Sequence, residues 1–449
     1  MQVHNLSLSS ERVRTFVPAE KMVDALDRTS TSNFTMMARV DGVLTEPALT
    51  RALRALELRH PLLRARIERA GGKLDFVLGE GAPTPLSVAD GPESDWQPLA
   101  EATLEHRVWS DDGPRMEVTW LRHDAQRSTL LLCFHHVVSD GISAAIVVRD
   151  LLSILVDQQI NVEPLASPGQ LAFYPSRYRG WRVLWRAVRF ALKLVFMRRP
   201  RRLRAVRAAP LTNRRVQLNG LRMSGDLMGQ LRSRAKLDDI SVHGLLCAAL
   251  AQATGAELGT SARQRILHPV DLRRYFEQTG SDRPGIGDAV GYYTSGLYTN
   301  HYVDTSAPLL ALAREITDSV RDRKADDEPL YAASHLGPFL AKLTGRLPRP
   351  LFRRLAESQI FIGTFQLSNI GSLDARGLLH SQFAELELKE VWGASASSVL
   401  HTMTAFVTSF RGTTNVQLSS VQPFVSREAA SRIMTDMERR LRQYAMQVS

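Results

Sequence analysis

Two apolar runs, Thr129–Phe134 and Ile142–Val148, are separated by His135-His136-Val137-Val138-Ser139-Asp140-Gly141. The first run reads as a buried strand and the second as the opening of a helix. That succession calls for a sheet with a helix packed on it, and it sets two imidazoles and a carboxylate in a turn at the sheet's edge. Neighbouring side chains of a strand point to opposite faces, so at most one of His135 and His136 reaches a cleft while the other packs inward. A proton acceptor that titrates near neutrality, held by a charged neighbour, is what acid–base chemistry uses. Taken alone, the same residues also suit a strand end whose histidines are structural.

A chain of 449 residues exceeds one comfortable hydrophobic core, and two domains are expected. Residues 33–41 read as a strand ending at Gly42, followed by a helix with Thr45 as N-cap, Pro47 in its first turn and an end near His60-Pro61. Residues 62–67 and 74–78 read as a strand pair around Gly71-Gly72, 79–98 as surface loop, and 116–121 and 129–134 as neighbouring strands. Further on, 241–254 reads as a helix, 265–270 as a strand, 307–323 as an amphipathic helix and 361–367 as a strand running into Ser368. Residues 397–410 and 415–421 form a hairpin, and 427–446 a closing helix. Strands and helices alternate in both halves, which predicts an α/β fold of two sandwich domains, 1–172 and 210–449, joined by a bridging segment, 173–209.

The net charge of +11 resides in that bridge: residues 173–207 hold twelve cations and no acid, leaving the remainder near neutral. Arg179, Arg182, Arg186, Arg189 and Lys193 recur every three or four residues, one stripe of a helix whose other surface carries Trp181, Trp185, Val188, Leu192 and Phe196. Three readings stay open: a helix buried between domains, a helix lying on an anionic membrane surface, and a dock for an acidic acyl carrier protein. The interleaved apolar face argues against nucleic acid as a partner. Cys133 and Cys247 lie in apolar runs, with no CxxC spacing and no disulfide framework, which fits a reducing compartment. No clustered spacing of ligands supports a metal, and His243, His268 and His401 are weak candidates for substrate contact. Neither a secretory signal nor an apolar run of about 18 residues is found, so a cytoplasmic chain, at most peripheral on the inner membrane face, is expected.

The pattern HHxxxDG resembles the signature of a superfamily that contains chloramphenicol acetyltransferase, the condensation domains of nonribosomal peptide synthetases, plant BAHD acyltransferases, wax ester synthases, and polyketide-associated and alcohol acyltransferases. Arg59-His60-Pro61-Leu62-Leu63-Arg64, Pro269-Val270-Asp271-Leu272-Arg273 and Ser368-Asn369-Ile370-Gly371 are similar to further family elements, in the family's order. The plant DFGWG element is missing, with Val391-Trp392-Gly393 only a faint echo, and so is the NVPGP form of wax ester synthases. Ser368-Asn369-Ile370-Gly371 together with Pro269-Val270-Asp271-Leu272-Arg273 most resembles the polyketide-associated and alcohol acyltransferase branch, with free-standing condensation enzymes as the near neighbour. The resemblance implies two chloramphenicol-acetyltransferase-like domains in a V around a tunnel, and acyl transfer from a CoA or acyl-carrier-protein thioester to a hydroxyl of a small or lipid-like acceptor. It implies His136 as general base, Asp140 as a brace paired with Arg273, Gly141 as space at the tunnel floor and a residue for a tight turn, and His135 as packing. Ser368 and Asn369 would line the tunnel or form a strand-end turn, and Arg182, Arg186, Arg189 and Lys193 would meet membrane or carrier. No cofactor beyond the thioester substrate is implied, and a monomer is expected. A free-standing condensation enzyme forming an amide and a non-catalytic binding module are the alternatives.

Overall fold

The structure, a computed structural model, describes residues 11–27, 31–78, 83–105, 111–157, 162–174, 215–259, 261–273, 286–332, 363–396 and 401–446, with Trp185, Val188, Arg189 and Leu192. β1 (Glu11–Thr15) and α1 (Pro18–Asp27) precede β2 (Asn33–Asp41). α2 (Glu46–Arg59) starts where its cap requires, with Thr45 Oγ1 accepting from Ala48 N–H. The expected strand 62–67 is corrected: Pro61–Arg64 is a 3-10 turn, in which Leu63 and Ala65 N–H bond back to the His60 and Leu62 carbonyls. β3 (Arg66–Ala70) begins only after it. Gly71 and Gly72, both at positive φ, then turn the chain into β4 (Lys73–Leu78). The presumed loop 79–98 contains β5 (Leu86–Asp90) and leads into α3 (Trp96–Glu105). β5 is a half-buried edge strand, so its alternation is faint. β6 (Met116–Arg122) and β7 (Arg127–His135) pair antiparallel, and α4 (Gly141–Val156) follows with Asp140 as N-cap.

The second half runs β8 (Arg215–Met223), α5 (Gly225–Leu237), α6 (Val242–Glu257), β9 (Ala262–Asp271), β10 (Thr294–Val303), α7 (Leu309–Ala325) and α8 (Glu328–Tyr331). It continues through β11 (Phe365–Ser372), β12 (Gln382–Phe383), β13 (Leu386–Ser395), β14 (Met403–Phe410), β15 (Thr413–Gln422) and α9 (Arg427–Met446). Two six-stranded mixed sheets result, ordered β12-β13-β2-β7-β6-β5 and β10-β9-β11-β14-β15-β8, beside a three-stranded ribbon β1-β4-β3. The α/β class with two sheet-and-helix lobes is as expected.

The lobes do not follow the chain division at 172 and 210. β13 leaves the second half and pairs antiparallel with β2 of the first sheet, Trp392 opposite Met37. An unpaired β2 edge, lined by fully buried Met36, Met37 and Ala38, would be a liability, and β13 covers it. Glu390 on β13 accepts from Arg39 of β2 at 2.9 Å, from Arg222 of β8 at 2.8 Å and from Asn415 of β15 at 3.0 Å, so one carboxylate joins both sheets. Ile370 and Phe406, carried by the second sheet, pack into the first core. The bridge 173–209 lies almost wholly outside the described residues.

Candidate active site

His135 is the last residue of β7 and His136 the first of the turn after it, and the two rings enter different surroundings. His135 points inward, 2% exposed, with Nε2 3.4 Å from Asp27 Oδ2. His136 sits between two aromatic rings, Phe34 of β2 at 4.9 Å and Tyr292 at 5.2 Å between centroids. Its Nδ1 lies 2.8 Å from the Ser139 carbonyl. A carbonyl only accepts, so Nδ1 carries the proton and Nε2 keeps its lone pair. Burial pushes the His136 pKa below the ordinary imidazole value, against the pull of the Ser139 carbonyl and the Asp140 charge. The ring is therefore neutral at pH 7.

Asp140 is saturated. Oδ1 accepts from Ser143 N–H at 2.8 Å and from Arg273 Nη1 at 3.1 Å; Oδ2 accepts from the same Nη1 at 2.9 Å and from Tyr293 N–H at 2.9 Å. Burial alone would raise this carboxyl's pKa, but the guanidinium and the two backbone donors outweigh it, and the pKa lies below the usual carboxylate value. Arg273 Nη2 also donates to Ser143 Oγ at 2.7 Å, and that hydroxyl exchanges bonds with the N–H and C=O of Gly291 at 3.1 and 2.9 Å. These bonds hold Gly291 and Tyr293 on either side of Tyr292 and so set its ring against His136. From Arg273 the network runs on through Asp271 at 3.4 Å to Arg376 at 2.9 Å, and from Arg376 to the Ile370 carbonyl at 3.1 Å. One chain of charge-assisted bonds thus ties the His136 turn to the 269–273 and 368–371 elements. Ser143, Tyr292, Tyr293 and Arg376 were not foreseen; only Ser143, three residues beyond the cap, carries a local signal.

The roles expected of Gly141 need correction. Its φ is not left-handed, so no tight turn requires it. Nor does its missing Cβ leave open space: that atom would stand 2.8 Å from Ile370 Cγ2 and 3.3 Å from Phe406 Cζ. Gly393 faces the same ring, where a Cβ would meet Phe406 Cε1 at 2.6 Å. Ser368 and Asn369 lie within β11, not after it, and both are half-buried. Asn369 Oδ1 accepts from Gly371 N–H at 2.9 Å, a turn closed by the positive φ of Gly371.

The 59–64 element acts farther along α4. Arg59 and His60 reach Asp150 at 2.7 and 2.9 Å, and Arg149 joins Asp150 to Asp288. Asp150 is roughly 15 Å along the helix from its cap, so this element anchors α4. His401 is buried, stacks on Tyr298 and is pushed down to about 3, hence neutral. The absence of clustered metal ligands, true of linear spacing, does not hold in the fold, where His243 and His268 meet beside Cys247. Arg182, Arg186 and Lys193 lie outside the described residues. Arg189 is exposed, as are Trp185, Val188 and Leu192. No helix among the described residues is long and apolar enough to cross a membrane.

Against known proteins, the condensation-domain family model matches residues 22–168, and that of the phthiocerol/phthiodiolone dimycocerosyl transferase C-terminus matches 212–422. The bassianolide nonribosomal cyclodepsipeptide synthetase of Beauveria bassiana is 33% identical over 115 residues, 25% of this chain and 4% of that protein. The chain spans 1–4% of the length of the first curated relatives it matches. Polyketide synthase associated protein 5 from Mycobacterium tuberculosis superposes with a TM-score of 0.65 at 14% identity, covering 98% of this chain and 99% of that one. Trichothecene 15-O-acetyltransferase TRI3 from Fusarium sporotrichioides does so with 0.72 at 12% identity, covering 97% and 95%. At such identities the superpositions speak for the fold alone.

Proposed function

The chain belongs to the superfamily of condensation domains and chloramphenicol-acetyltransferase-like acyltransferases, and from that membership we propose that it moves an acyl group from a thioester to a hydroxyl, with His136 as general base. The observation that carries this reading is the tautomer: Nδ1–H is tied to the Ser139 carbonyl and Nε2 is left as an acceptor. Nε2 takes the acceptor's hydroxyl proton as its oxygen attacks the thioester carbonyl carbon. The carbonyl electron pair moves onto oxygen, the tetrahedral intermediate collapses, and the departing thiolate takes the proton back from the imidazolium. Either Asn369, whose Oδ1 is engaged by Gly371, or Ser368, its neighbour on β11, offers a hydrogen-bond donor to the oxyanion. Asp140 and Arg273 brace the turn, Gly141 seats it against Ile370 and Phe406, and His135 packs beneath it. The thioester is the donor substrate, on CoA or on the phosphopantetheine of an acyl carrier protein, and no further cofactor takes part.

The condensation-domain match over 22–168 favours a second reading, amide formation on an amine acceptor. Mass spectrometry of products from a panel of acyl thioesters with paired hydroxyl and amine acceptors separates the two. His136→Ala should lower transfer about 10²–10⁴-fold while the chain stays folded; retention of most of the activity overturns the general-base role, and no product from any pair favours a binding module. The exposed Trp185, Val188 and Leu192, with Arg189 beside them, support contact of the bridge with an anionic membrane surface and a lipid-like acceptor.

A further inference from the structure

The second lobe gathers another group of reactive side chains, apart from the His136 turn. Ser241 caps α6, its Oγ accepting from Gly244 N–H at 2.9 Å. That helix carries His243 and Cys247 four residues apart, hence on one face, and β9 presents His268 to the same face. His243 Nε2 stands 2.8 Å from His268 Nδ1, and Cys247 Sγ stands 3.6 Å from the first nitrogen and 3.8 Å from the second. A tetrahedral ion with bonds of about 2.0 Å to nitrogen and 2.3 Å to sulfur spaces its ligands roughly 3.5 Å apart for sulfur–nitrogen and roughly 3.3 Å for nitrogen–nitrogen. The sulfur edges of this triangle nearly fit already, and the nitrogen edge needs to open by about half an ångström. Two ring nitrogens that face each other so closely need a proton or a cation between them.

The surroundings fit a cation. His268 Nε2 lies 2.8 Å from Thr299 Oγ1, so the hydroxyl can take the Nε2 proton and leave Nδ1 as a ligand, the support that metal-bound imidazoles ordinarily have. Cys247 and His268 are buried while His243 is half-buried, which gives the site one side toward solvent. Two imidazoles and a thiolate select a thiophilic ion of flexible geometry, and three protein ligands leave a fourth position for water.

We propose that His243, Cys247 and His268 form a zinc site that clamps the first turns of α6 to β9. β9 runs directly on into Asp271 and Arg273, so the ion would fix the strand that carries Arg273 to Asp140. Its role is structural, and it does not depend on the acyl-transfer reading.

The test uses the whole chain, freed of metal with a chelator and titrated with Co²⁺ as the spectroscopic probe, then with Zn²⁺. The expected result is one Co²⁺ per chain, a thiolate-to-cobalt charge-transfer band that Zn²⁺ displaces, and an unfolding midpoint raised by a few degrees in excess Zn²⁺. The chain has two cysteines: Cys247→Ser should abolish the band and Cys133→Ser should keep it. His243→Ala, at the half-buried corner, should weaken binding at least tenfold without lowering the midpoint of the metal-free chain. A missing band, a band that survives Cys247→Ser, or a midpoint indifferent to Zn²⁺ overturns the proposal and leaves the trio as hydrogen-bonded packing.

Discussion

At the residue scale, two neighbouring ionisable groups are tuned in opposite ways by the same burial. His136 is kept neutral because a buried imidazolium is poorly solvated, which suits a base. Asp140 is kept charged because a guanidinium and two N–H donors saturate it, which leaves no lone pair for substrate. If His136 is the base, kcat/KM rises with pH through its native pKa and is flat above it. The acid limb should therefore have its midpoint below the usual imidazole value of about 6.5, measured on the best acyl pair; a midpoint at or above that value contradicts the assignment. For Asp140 the native pKa lies below the unfolded value of about 3.9, so its contribution to stability is present above that pH and is lost as pH falls through the native value. Asp140→Asn removes the nearer of the two carboxylates that face the buried Arg273 guanidinium, leaving Asp271 at 3.4 Å, and should cost about 3–5 kcal/mol in urea unfolding. Adding Arg273→Ala should then cost much less than it does in the wild type, and clear additivity would argue against one coupled unit.

At the scale of elements, close approach is set by the absence of side chains. Phe406 of β14 fits between Gly141 at the start of α4 and Gly393 of β13, so helix, crossover strand and second sheet converge on one ring. Gly141→Ala and Gly393→Ala should each destabilise by about 1–3 kcal/mol through overpacking, and Phe406→Leu should recover part of the Gly393→Ala loss in thermal unfolding. No recovery would mean that the strain lies elsewhere. Element boundaries were legible where a cap or a turn residue marks them: Thr45 before α2 and Gly71-Gly72 between β3 and β4. They were illegible where the signal is not local. β5 alternates weakly because it is an edge strand, and Leu62-Leu63 resemble a strand until the turn after His60 folds them back.

At the scale of the molecule, the chain's net charge and its candidate site belong to different stretches of the sequence: residues 173–207 hold twelve cations and no acid, and the 135–141 turn holds the candidate base. Trp185, exposed by 64%, with Val188 and Leu192 exposed by 37% and 47%, recurs at helical spacing beside Arg189. The chain should float with anionic vesicles and less with neutral ones, and Arg→Glu changes at 182, 186 and 189 should release it; no flotation of wild type, or none lost in the variant, rejects a membrane face. The sequence by itself determined what depends on residues a few positions apart: strands, capped helices, the turn that presents His136, and four ordered elements that resemble those of an acyltransferase family. The Arg273–Asp140 pair, 133 positions apart, was already implied by the family resemblance, but only the tertiary structure decided the other long-range meetings: Arg376 with Asp271 over 105 positions, Ser143 with Gly291 over 148, and Glu390 with Arg39 over 351. His243, Cys247 and His268 met unseen for the same reason. A hydrogen bond or a ligand triangle depends on sheet order and packing, and neither leaves a periodicity in the chain from which it could be read.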